Sequence, residues 1–467
     1  MSKLTNTLIE AIRLSGLADG MSVSFHHHLR SGDRVLNMAL DAAAKLGLRD
    51  LTVQASALFD VHAPLLGHIE SGVVTGIETN YMDPVLGRAI SAGVLSKPVR
   101  FRSHGGRPAA IASGRAPIDL AIIAAPAADR QGNLNGVQGP AACGSLGYAF
   151  ADAEYARVVI AVTDHLQPYP LQPVSIDEGK VDYVVAVDSI GDPQGIVSGT
   201  TRITRDPVGL KIASLAARVI EHSGLLVDGF SFQTGAGGAS LAVTQYLKPI
   251  MKRLGVVGSF GLGGITGYLV DMLEEGYFEQ LLDVQCFDLR AVESIRSNPR
   301  HQEISAARYA SPAVKSAAVD SLDAVILGAT EIDLGFNVNV HTDSNGRIMG
   351  GSGGHSDTAA GAKLAMIVAP LFRARLPIVV DRVQAISTPG DTVDVLITQR
   401  GIAVNPRRAE LRARLADAGL PVYEIEQLKQ MAERVTGVPR RAQHGPRAVA
   451  EVEYRDGRII DRIYNVD

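Results

Sequence analysis

The sequence contains little cysteine, no tryptophan and no strong excess of charge of either sign. Its 467 residues include two cysteines, Cys143 and Cys286, which are too few for a disulfide framework or a cysteine zinc site and fit a reducing compartment. The formal net charge of −4 comes from interspersed acidic and basic residues, so no basic surface for nucleic acid is expected. The most basic stretch, residues 434–447, contains Pro and Gly and is interpreted as a solvated loop.

The chain also lacks a long apolar run and a recognisable secretory leader. The first residues, MSKLTNTLIEAIRL, are interrupted by Glu10 and Arg13 and contain no apolar core of a signal peptide. No window of about 18 apolar residues is free of several glycines, so a membrane span is not expected. Apolar residues make up 46% and charged residues 20% of the chain, as is typical of a globular protein. These features predict a cytoplasmic protein with room for about two to four domains.

Short β-branched runs alternate with longer helical patterns along the chain. Residues 158–162 (VVIAV) and 378–380 (IVV) are typical of buried parallel strands, whereas residues 34–46 and 240–254 have the apolar periodicity of helices. Asp33 is predicted to cap the first of these helices. The alternation predicts an α/β fold with mostly parallel sheets.

An internal repeat divides the chain into two related halves. The segment IDLAIIAAPAADRQGNLN, residues 118–135, aligns without gaps with LDAVILGATEIDLGFNVN, residues 322–339. The alignment superimposes four pairs of polar residues, which are Asp119 on Asp323, Asp129 on Asp333, Asn133 on Asn337 and Asn135 on Asn339. Because the asparagines occur in both copies, we expect them to serve turns common to both halves rather than a ligand. The sequence therefore predicts two related domains, residues 1–200 and 201–467, joined near residues 189–206.

A strand, a loop and a helix begin each half, and the two loops differ in chemistry. Residues 23–47 correspond to residues 229–255, so the histidines of SFHHHLRSGD take the place of the glycine loop QTGAGG. Such a glycine loop before a helix offers backbone N–H groups to an anion or an oxyanion. Two more glycine-rich segments, residues 258–264 and 350–357, follow predicted strands, so together the three predict a ligand site at the carboxyl ends of one sheet. Each segment taken alone is equally consistent with a tight turn or close packing.

Several strings across nearly the whole chain resemble one family. The strings SFHHHLRSGD, GSFGLGGITG, NVNV, GGSGGHSDTA and GIAVNP, in this order, are similar to those of citrate lyase alpha subunits, which belong to the CoA-transferase superfamily with two tandem domains. The resemblance implies a citrate:acetyl-ACP transferase, which exchanges acetyl for citrate on the phosphopantetheine-type, dephospho-CoA-derived arm of an acyl carrier protein and releases acetate. It also implies a cytoplasmic, oligomeric complex with a beta subunit and an acyl carrier (gamma) subunit, and neither a metal nor a tightly bound cofactor.

One departure from the superfamily bears on the mechanism. Related CoA-transferases carry Ser-Glu-Asn-Gly after the corresponding strand, and their glutamate forms covalent enzyme intermediates. The matching residues are taken to be 258–261, which places Ser259 where the carboxylate would be. Since serine cannot relay an acyl group as a carboxylate does, this alignment predicts direct attack of a citrate carboxylate on the acetyl thioester, through a mixed anhydride.

The glycine loops and one carboxylate are the candidates for catalysis. We expect backbone N–H groups to stabilise tetrahedral oxyanions, and the candidate donors are Gly235, Gly237, Gly238, Gly261, Gly263 and Gly264. Glu331 is the alternative nucleophile, because the stretch ATEIDLG places a carboxylate near a strand end, although its repeat partner is Ala127.

A tricarboxylate substrate needs cationic and hydrogen-bonding partners. The candidates are His26, His28, Arg30, His104, Arg107 and His355. Of the three consecutive histidines only His26 and His28 can converge, because neighbours on an extended strand point to opposite faces, so no metal held by all three is expected. These histidines and Arg30 are predicted to form a cationic patch. His355 is expected to be accessible among its glycines, with Asp357 either orienting its imidazole or capping a helix. A structural role is the alternative for each residue.

Two other functions stay open from the sequence. A transferase that uses free acyl-CoA and another carboxylic acid, such as citramalate, would have the same fold. The sequence of one chain does not reveal whether beta and carrier subunits accompany it. A non-catalytic scaffold or ligand sensor is the second alternative, because the superfamily glutamate is absent.

Overall fold

The computed structural model describes residues 2–197, 201–440 and 442–466, which form two large, mostly parallel sheets flanked by helices. Residues 198–200, which belong to the predicted linker, lie outside the described residues. None of the helices in the described part of the chain is long and apolar enough to span a lipid bilayer.

The first half alternates short strands with helices. Its strands are β1 (Leu4–Thr5), β2 (Ser22–Phe25), β3 (Leu51–Ala55), β4 (Val74–Thr79), β5 (Val99–Phe101), β6 (Leu120–Ala124), β7 (Ala127–Asp129), β8 (Leu134–Asn135), β9 (Val158–Thr163), β10 (Leu166–Gln167) and β11 (Tyr183–Ala186). Its helices are α1 (Leu8–Ser15), α2 (Val35–Lys45), α3 (Leu65–Glu70), α4 (Pro84–Ser91), α5 (Gly106–Ala112) and α6 (Ala149–Tyr155).

The second half has the same alternation and ends in a hairpin. Its strands are β12 (Ser231–Gln233), β13 (Gly258–Ile265), β14 (Phe278–Cys286), β15 (His301–Glu303), β16 (Ala324–Gly328), β17 (Glu331–Asp333), β18 (Val338–Asn339), β19 (Leu364–Val368), β20 (Phe372–Arg373), β21 (Leu376–Pro377), β22 (Val379–Val380), β23 (Val395–Thr398), β24 (Gly401–Val404), β25 (Val422–Tyr423), β26 (Ala448–Glu453) and β27 (Ile459–Tyr464). Its helices are α7 (Pro207–His222), α8 (Gly238–Leu254), α9 (Gly267–Glu274), α10 (Leu289–Ser297), α11 (Ala306–Ala310), α12 (His355–Gly361), α13 (Ala409–Asp417) and α14 (Ile425–Thr436).

The two sheets repeat one strand order. The first sheet runs β1-β11-β9-β6-β2-β3-β4-β5-β26-β27 and the second runs β15-β14-β13-β12-β16-β19-β23-β24-β25. The central run β9-β6-β2-β3-β4 therefore corresponds to β19-β16-β12-β13-β14, and its strands are parallel in both sheets. A three-stranded sheet also recurs, as β10-β7-β8 and as β22-β17-β18. The predicted α/β class and internal repeat are confirmed.

Repeated aspartates bind the equivalent central strands β2 and β12. The Asp119 carboxylate accepts hydrogen bonds from the Ser22 backbone N–H at 2.9 Å and from the Ser22 hydroxyl at 3.1 Å. In the second half, Asp323 accepts from the N–H and hydroxyl of Ser231 at the same two distances. Since the bonds join β2 to β6 and β12 to β16, they fix the register of equivalent central strands.

The other repeated polar residues form turns, as was predicted for the asparagines. One oxygen of Asp129 accepts from three successive backbone N–H groups of the following turn, and the equivalent oxygen of Asp333 accepts from two. The amide oxygens of Asn135 and Asn339 each accept from the N–H groups two and three residues later. These side chains satisfy backbone donors that the turns would otherwise leave unpaired.

Strand β13 corrects one expectation from the sequence. The stretch GSFGLGG, residues 258–264, was expected to be a loop that follows a strand, and this is wrong because residues 258–265 are one continuous strand. Gly261 pairs with Leu281 and Gly264 pairs with Gln285 of β14, with a bulge between Gly263 and Gly264. The glycines let large side chains pack flat on the strand, which composition alone does not distinguish from a loop.

The C-terminal hairpin belongs to the first sheet. β26 pairs in parallel with β5, so residues predicted to lie in the second domain complete the sheet of the first half. The buried Glu453 carboxylate holds this contact, because Arg115 lies 2.9 Å, Arg102 3.2 Å and Arg100 3.4 Å from its oxygens. A single division at residue 200 therefore does not separate the strands of the two sheets.

Candidate functional site

The carboxyl ends of the two central sheets face each other where the two halves of the chain meet, a region called the cleft below. From the first half, His27 follows β2, Ser56 follows β3 and His104 follows β5. From the second half, Gln285 lies at the end of β14 and donates its side-chain amide to the carbonyl of His27 at 2.9 Å. The backbone N–H of His104 donates to the carbonyl of Gly353 at 2.8 Å. Loops at these ends are where parallel α/β sheets place their ligands, so this cleft is the candidate site.

Stacked rings form one wall of the cleft. The Tyr148 ring lies 4.7 Å from the ring of His27 and 4.4 Å from that of His104, measured between centroids. The two imidazoles are themselves stacked at 5.7 Å, and His27 Nδ1 is 2.6 Å from the Ser56 hydroxyl. Ser56 therefore contacts one nitrogen of His27, and the stack orients the plane of its ring.

His26 and His28 are in direct contact, and the ring of His28 is also stacked on that of His27 with 6.3 Å between centroids. Their Nδ1 atoms contact each other, while Nε2 of His26 is 3.0 Å from the N–H of Ala124 and Nε2 of His28 is 3.3 Å from the N–H of Tyr148. The predicted convergence of His26 and His28 is confirmed, but the strand alternation from which it was argued does not apply, because the strand ends at Phe25. They lie behind the stacked wall and hold it against β6 and the loop before α6.

The histidines do not form the predicted cationic patch. Burial lowers the pKa of His26 to about 4 and that of His104 to about 3, and the pKa values of His27 and His28 fall well below the usual 6.5 for the same reason. The expectation that these histidines are charged is wrong, because the free-energy cost of desolvating an imidazolium exceeds the stabilisation that neighbouring groups provide. At neutral pH these rings act as neutral hydrogen-bonding groups.

Arg30 supplies the cation of the cleft. Its guanidinium lies 5.1 Å from the ring of Phe59 in the first half and 4.9 Å from the ring of Phe287 in the second. The residue is buried, and its backbone φ of +52° is one that side chains other than glycine adopt at an energetic cost. A strained backbone that holds a cation between two rings is typical of a functional position.

Two predicted substrate-binding residues are fully engaged within the protein. Arg107 donates to both carboxylate oxygens of the buried Asp152 at 2.7 and 3.1 Å, and to the hydroxyl of Ser24 at 2.9 Å. His355 was expected to be accessible, and this is wrong: it is buried, with Nδ1 2.7 Å from the Thr388 hydroxyl and Nε2 2.8 Å from the carbonyl oxygen of Gly328. Burial lowers the pKa of His355 to about 4, so it is neutral.

The predicted oxyanion donors divide into two groups. Gly235, Gly237 and Gly238 form the expected connection between β12 and α8, and a backbone role for them stays a prediction. The other three, Gly261, Gly263 and Gly264, belong to the interior of β13 rather than to a loop. Gly263 has a φ of +101°, and a Cβ there would lie 2.8 Å from the side chain of Gln233, so the glycine lets that amide pack over the strand.

Two residues considered for the nucleophile lie elsewhere. Ser259 is near the amino end of β13 and donates its hydroxyl to the carbonyl of Gly229, so it does not occupy the carboxyl end where the alignment placed it. Glu331, in β17, accepts from the Asn339 amide at 3.2 Å and from the Gln384 backbone N–H at 3.1 Å. Glu331 lines a separate cavity of about 90 Å³ that also contacts Lys429.

Several cleft residues carry no sequence signal. Tyr148, Ser56 and Gln285 belong to no motif, and only the fold brings them to the cleft. Within the described part of the chain, four buried polar atoms of the cleft region have no hydrogen-bond partner: His104 Nδ1, Gln233 Oε1, Thr266 Oγ1 and Gln285 Oε1. Buried polar atoms normally find partners, so this concentration indicates a place for a polar ligand.

The chain matches known proteins over its whole length. Residues 1–466 match the family described as citrate lyase, alpha subunit. The citrate lyase alpha chain of Klebsiella pneumoniae is 51% identical over 464 residues, which cover 99% of this chain and 91% of that relative. A solved alpha subunit of citrate lyase from Streptococcus mutans, in complex with citrate, superposes with a TM-score of 0.98 at 48% identity, over 100% of this chain and 92% of that one.

A more distant neighbour shares the fold alone. The 4-hydroxybutyrate CoA-transferase of Porphyromonas gingivalis superposes with a TM-score of 0.58 at 17% identity, over 92% of this chain and 97% of that one. The two-sheet repeat is therefore a CoA-transferase-like fold. From the full-length match and the facing sheets, the chain belongs to the family of citrate lyase alpha subunits, the subunit that is the citrate:acetyl-ACP transferase.

Proposed function

We propose that the cleft between the two sheets binds citrate beside the acetyl thioester of an acyl carrier arm and transfers the thioester directly between them. The observation that carries this site is Arg30, whose guanidinium is held between Phe59 and Phe287 from opposite halves. A guanidinium can bind a carboxylate through two parallel hydrogen bonds, and partial burial strengthens the pair. The citrate described in the relative from Streptococcus mutans supports citrate as the ligand.

The neutral histidines suit this substrate. Citrate carries three negatively charged carboxylates, which a cluster of neutral hydrogen-bond donors can orient. Neutral rings avoid the desolvation and mutual repulsion of several buried imidazolium ions. His27 and His104 face the cleft beside Tyr148, whose pKa burial raises well above its usual value. The phenol therefore stays protonated and serves as a hydrogen-bond donor across the physiological pH range.

The reaction proceeds without a covalent enzyme intermediate in this proposal. A citrate carboxylate oxygen attacks the acetyl carbonyl, the C–S bond breaks, and the carrier thiolate leaves behind an acetyl–citryl anhydride. The thiolate then attacks the citryl carbonyl, and the bond to the acetate oxygen breaks, which gives citryl carrier and acetate. Support comes from the carboxyl end of β13, where the chain reads Gly264, Ile265 and Thr266 and offers no carboxylate. Donors aimed at each oxyanion contribute about 3–4 kcal/mol apiece.

The proposal includes the partners of the reaction. The acyl group arrives on the phosphopantetheine-type arm of a carrier subunit as a co-substrate, and a beta subunit cleaves the citryl thioester in a cytoplasmic complex. A transferase acting on free acyl-CoA or on citramalate is the competing function.

Acetate release by the purified chain tests the function. We expect citrate-dependent release of acetate from acetyl-carrier, with a lower rate from free acetyl-CoA and from citramalate as acceptor. A higher kcat/KM with acetyl-CoA or citramalate would establish the competing transferase, and no release with any pair would establish a scaffold. Hydroxylamine added during turnover should yield no hydroxamate on the chain, whereas a hydroxamate on Glu331 would contradict direct transfer.

An Arg30 variant tests the site. Arg30→Gln should raise the citrate KM strongly, by about tenfold or more, since a charge-assisted pair is worth roughly 1.5–3 kcal/mol. The matched control is Arg253→Gln, because Arg253 pairs with Glu221 on the exposed surface. Equal citrate KM values for the two variants would place citrate elsewhere.

A further inference from the structure

We infer that Asp357 is a positioning residue that holds His104 in the cleft from the opposite half of the molecule. The inference rests on the proposed function, because it assigns His104 a place beside the substrates. Asp357 lies in the first turn of α12 and its side chain is completely buried.

Asp357 accepts hydrogen bonds from the residues on both sides of His104. One carboxylate oxygen accepts from the Ser103 hydroxyl at 2.8 Å and the other accepts from the Gly105 backbone N–H at 2.8 Å. The two bonds flank the histidine and leave its imidazole unrestrained by the carboxylate itself. Asp357 thus neither orients His355 nor caps its own helix, the two roles expected from the sequence.

A third hydrogen bond, also to the second half, involves the backbone of His104 itself. The His104 backbone N–H donates to the carbonyl of Gly353 at 2.8 Å, and Gly353 adopts a φ of +50°. Three consecutive residues of the first half are therefore bonded to one short segment of the second half. The imidazole that they carry lies 4.4 Å from the ring of Tyr148, with Nδ1 buried and unpartnered among the described residues.

The packing around the carboxylate leaves little freedom. A Cβ on Gly105 would overlap the carbonyl oxygen of Ala310 and lie 2.8 Å from an oxygen of Asp357. Arg455, from the turn of the C-terminal hairpin, donates to the same Ala310 carbonyl at 3.0 Å and places Nε 3.7 Å from Asp357. The first half, the second half and the hairpin therefore meet at one carboxylate.

This arrangement makes the position of His104 depend on the contact between the halves. A shift of α12 moves Ser103 and Gly105 with it, and the ring of His104 then changes its height over Tyr148. Displacement of a catalytic group by about 1 Å can lower a rate about a hundredfold. Asp357 therefore affects the rate of the transfer reaction as well as the stability of the fold.

A double-mutant cycle tests the inference. Asp357→Asn should lower kcat/KM for citrate by about a hundredfold. In a His104→Ala background, the same substitution should cause less than about a twofold further loss, because its effect passes through the missing imidazole. Losses that multiply in the double variant would overturn the inference, as would an unchanged kcat/KM in folded Asp357→Asn.

Matched controls separate position from folding. Asp394 is also a buried aspartate that accepts a backbone N–H and pairs with Arg407, but it lies outside the cleft. Asp394→Asn should lower the melting temperature and keep kcat/KM within about twofold of the parent. If Asp357→Asn does not fold, Ser103→Ala replaces it in the cycle, and Ser103→Thr, which retains the hydroxyl, should restore activity.

A readout without turnover separates this inference from the proposed function. In histidine-labelled protein, Asp357→Asn should shift the side-chain NMR signals of His104 and leave those of the exposed His444 in place. If the parent chain releases no acetate but the signals of His104 shift, the proposed function fails and the positioning role stands. If they do not shift, the positioning role fails whatever the activity.

Discussion

At the scale of single residues, burial decides chemical character. Arg107 and Arg30 are both buried arginines of the first half, yet Arg107 is saturated by Asp152 and Ser24 while Arg30 lies between two aromatic rings at the cleft. Since a guanidinium bound to both oxygens of one carboxylate has few donors left, Arg107 is assigned a structural role rather than a place in the proposed citrate site.

Removing Arg107 should affect stability more than substrate binding. Arg107→Met leaves the Asp152 carboxylate buried without its cation, and we expect the free energy of unfolding to fall by about 3–5 kcal/mol. Denaturant unfolding measures this loss. The double variant Arg107→Met with Asp152→Leu should recover part of it, because it removes both charges. A stable Arg107→Met protein with a raised citrate KM would instead return Arg107 to the binding site.

At the scale of elements, the glycines of β13 form a flat strand surface on which side chains of the cleft pack. A Cβ on Gly264 would overlap the ring of Phe287, the same ring that lies against Arg30. The glycine is therefore required by a packed neighbour at the site, rather than by the flexibility of a loop.

Gly264→Ala should loosen the citrate site through Phe287. The displaced ring loses its contact with Arg30, worth about 0.5–2 kcal/mol, and we expect the citrate KM to rise several-fold. Steady-state kinetics with varied citrate checks this. Gly328→Ala is the matched control, because Gly328 ends β16 with open space around its Cβ position. An equal effect of the two substitutions would contradict the role of Phe287.

The C-terminal hairpin is the second element whose role depends on tertiary contacts. Glu453 is buried against three arginines of the first half, of which Arg100 and Arg102 also pair with Glu451 and Glu78. Glu453→Gln should therefore remove only part of their neutralisation and lower the free energy of unfolding by about 1–3 kcal/mol. Thermal unfolding of Glu453→Gln and of the exposed control Glu293→Gln checks this. If the two variants have the same melting temperature, the hairpin is not held by this network.

At the scale of the whole molecule, buried neutral histidines link stability to pH. Burial lowers the pKa of six histidines, which are His26, His27, His28, His104, His341 and His355. Unfolding returns each to a pKa of about 6.5, so below that pH the unfolded chain binds protons that the folded chain does not. The stabilisation is present above pH 6.5 and is lost as the pH falls toward 4, by about 1.4 kcal/mol per pH unit for each group.

Asp357 acts with the opposite sign. Burial raises its pKa to about 6, so between about pH 6 and 4 the folded chain holds a proton that the unfolded chain has lost, which offsets one histidine. We therefore expect the free energy of unfolding to fall steeply between pH 6.5 and about 4. Denaturant unfolding at several pH values measures the slope, and His341→Gln should reduce it by about one proton while the exposed His444→Gln should not. A flat profile would show that the histidines are solvated.

The general architecture follows from local features of the chain. Apolar runs and helical periodicity predicted the α/β class, and the gapless alignment of residues 118–135 with 322–339 predicted two equivalent halves. The asparagines of the repeat were predicted to serve turns, and Asn135 and Asn339 bond backbone groups within a few residues. Such contacts are short-range, so the sequence nearby contains the information they need. The strings spread along the chain were also sufficient to identify the family.

The site depended on contacts that connect distant parts of the sequence. The histidines are neutral, His355 is saturated, the glycines of β13 carry Phe287, and Asp357 reaches across to Ser103. Each property depends on which side chains are buried and which residues from distant parts of the chain contact them. Desolvation is a property of the packed molecule, because it requires several elements to cover the group. Sequence alone therefore determined the fold, its repeat and the family, whereas only the tertiary structure decided which of the candidate side chains face the cleft and in which charge state.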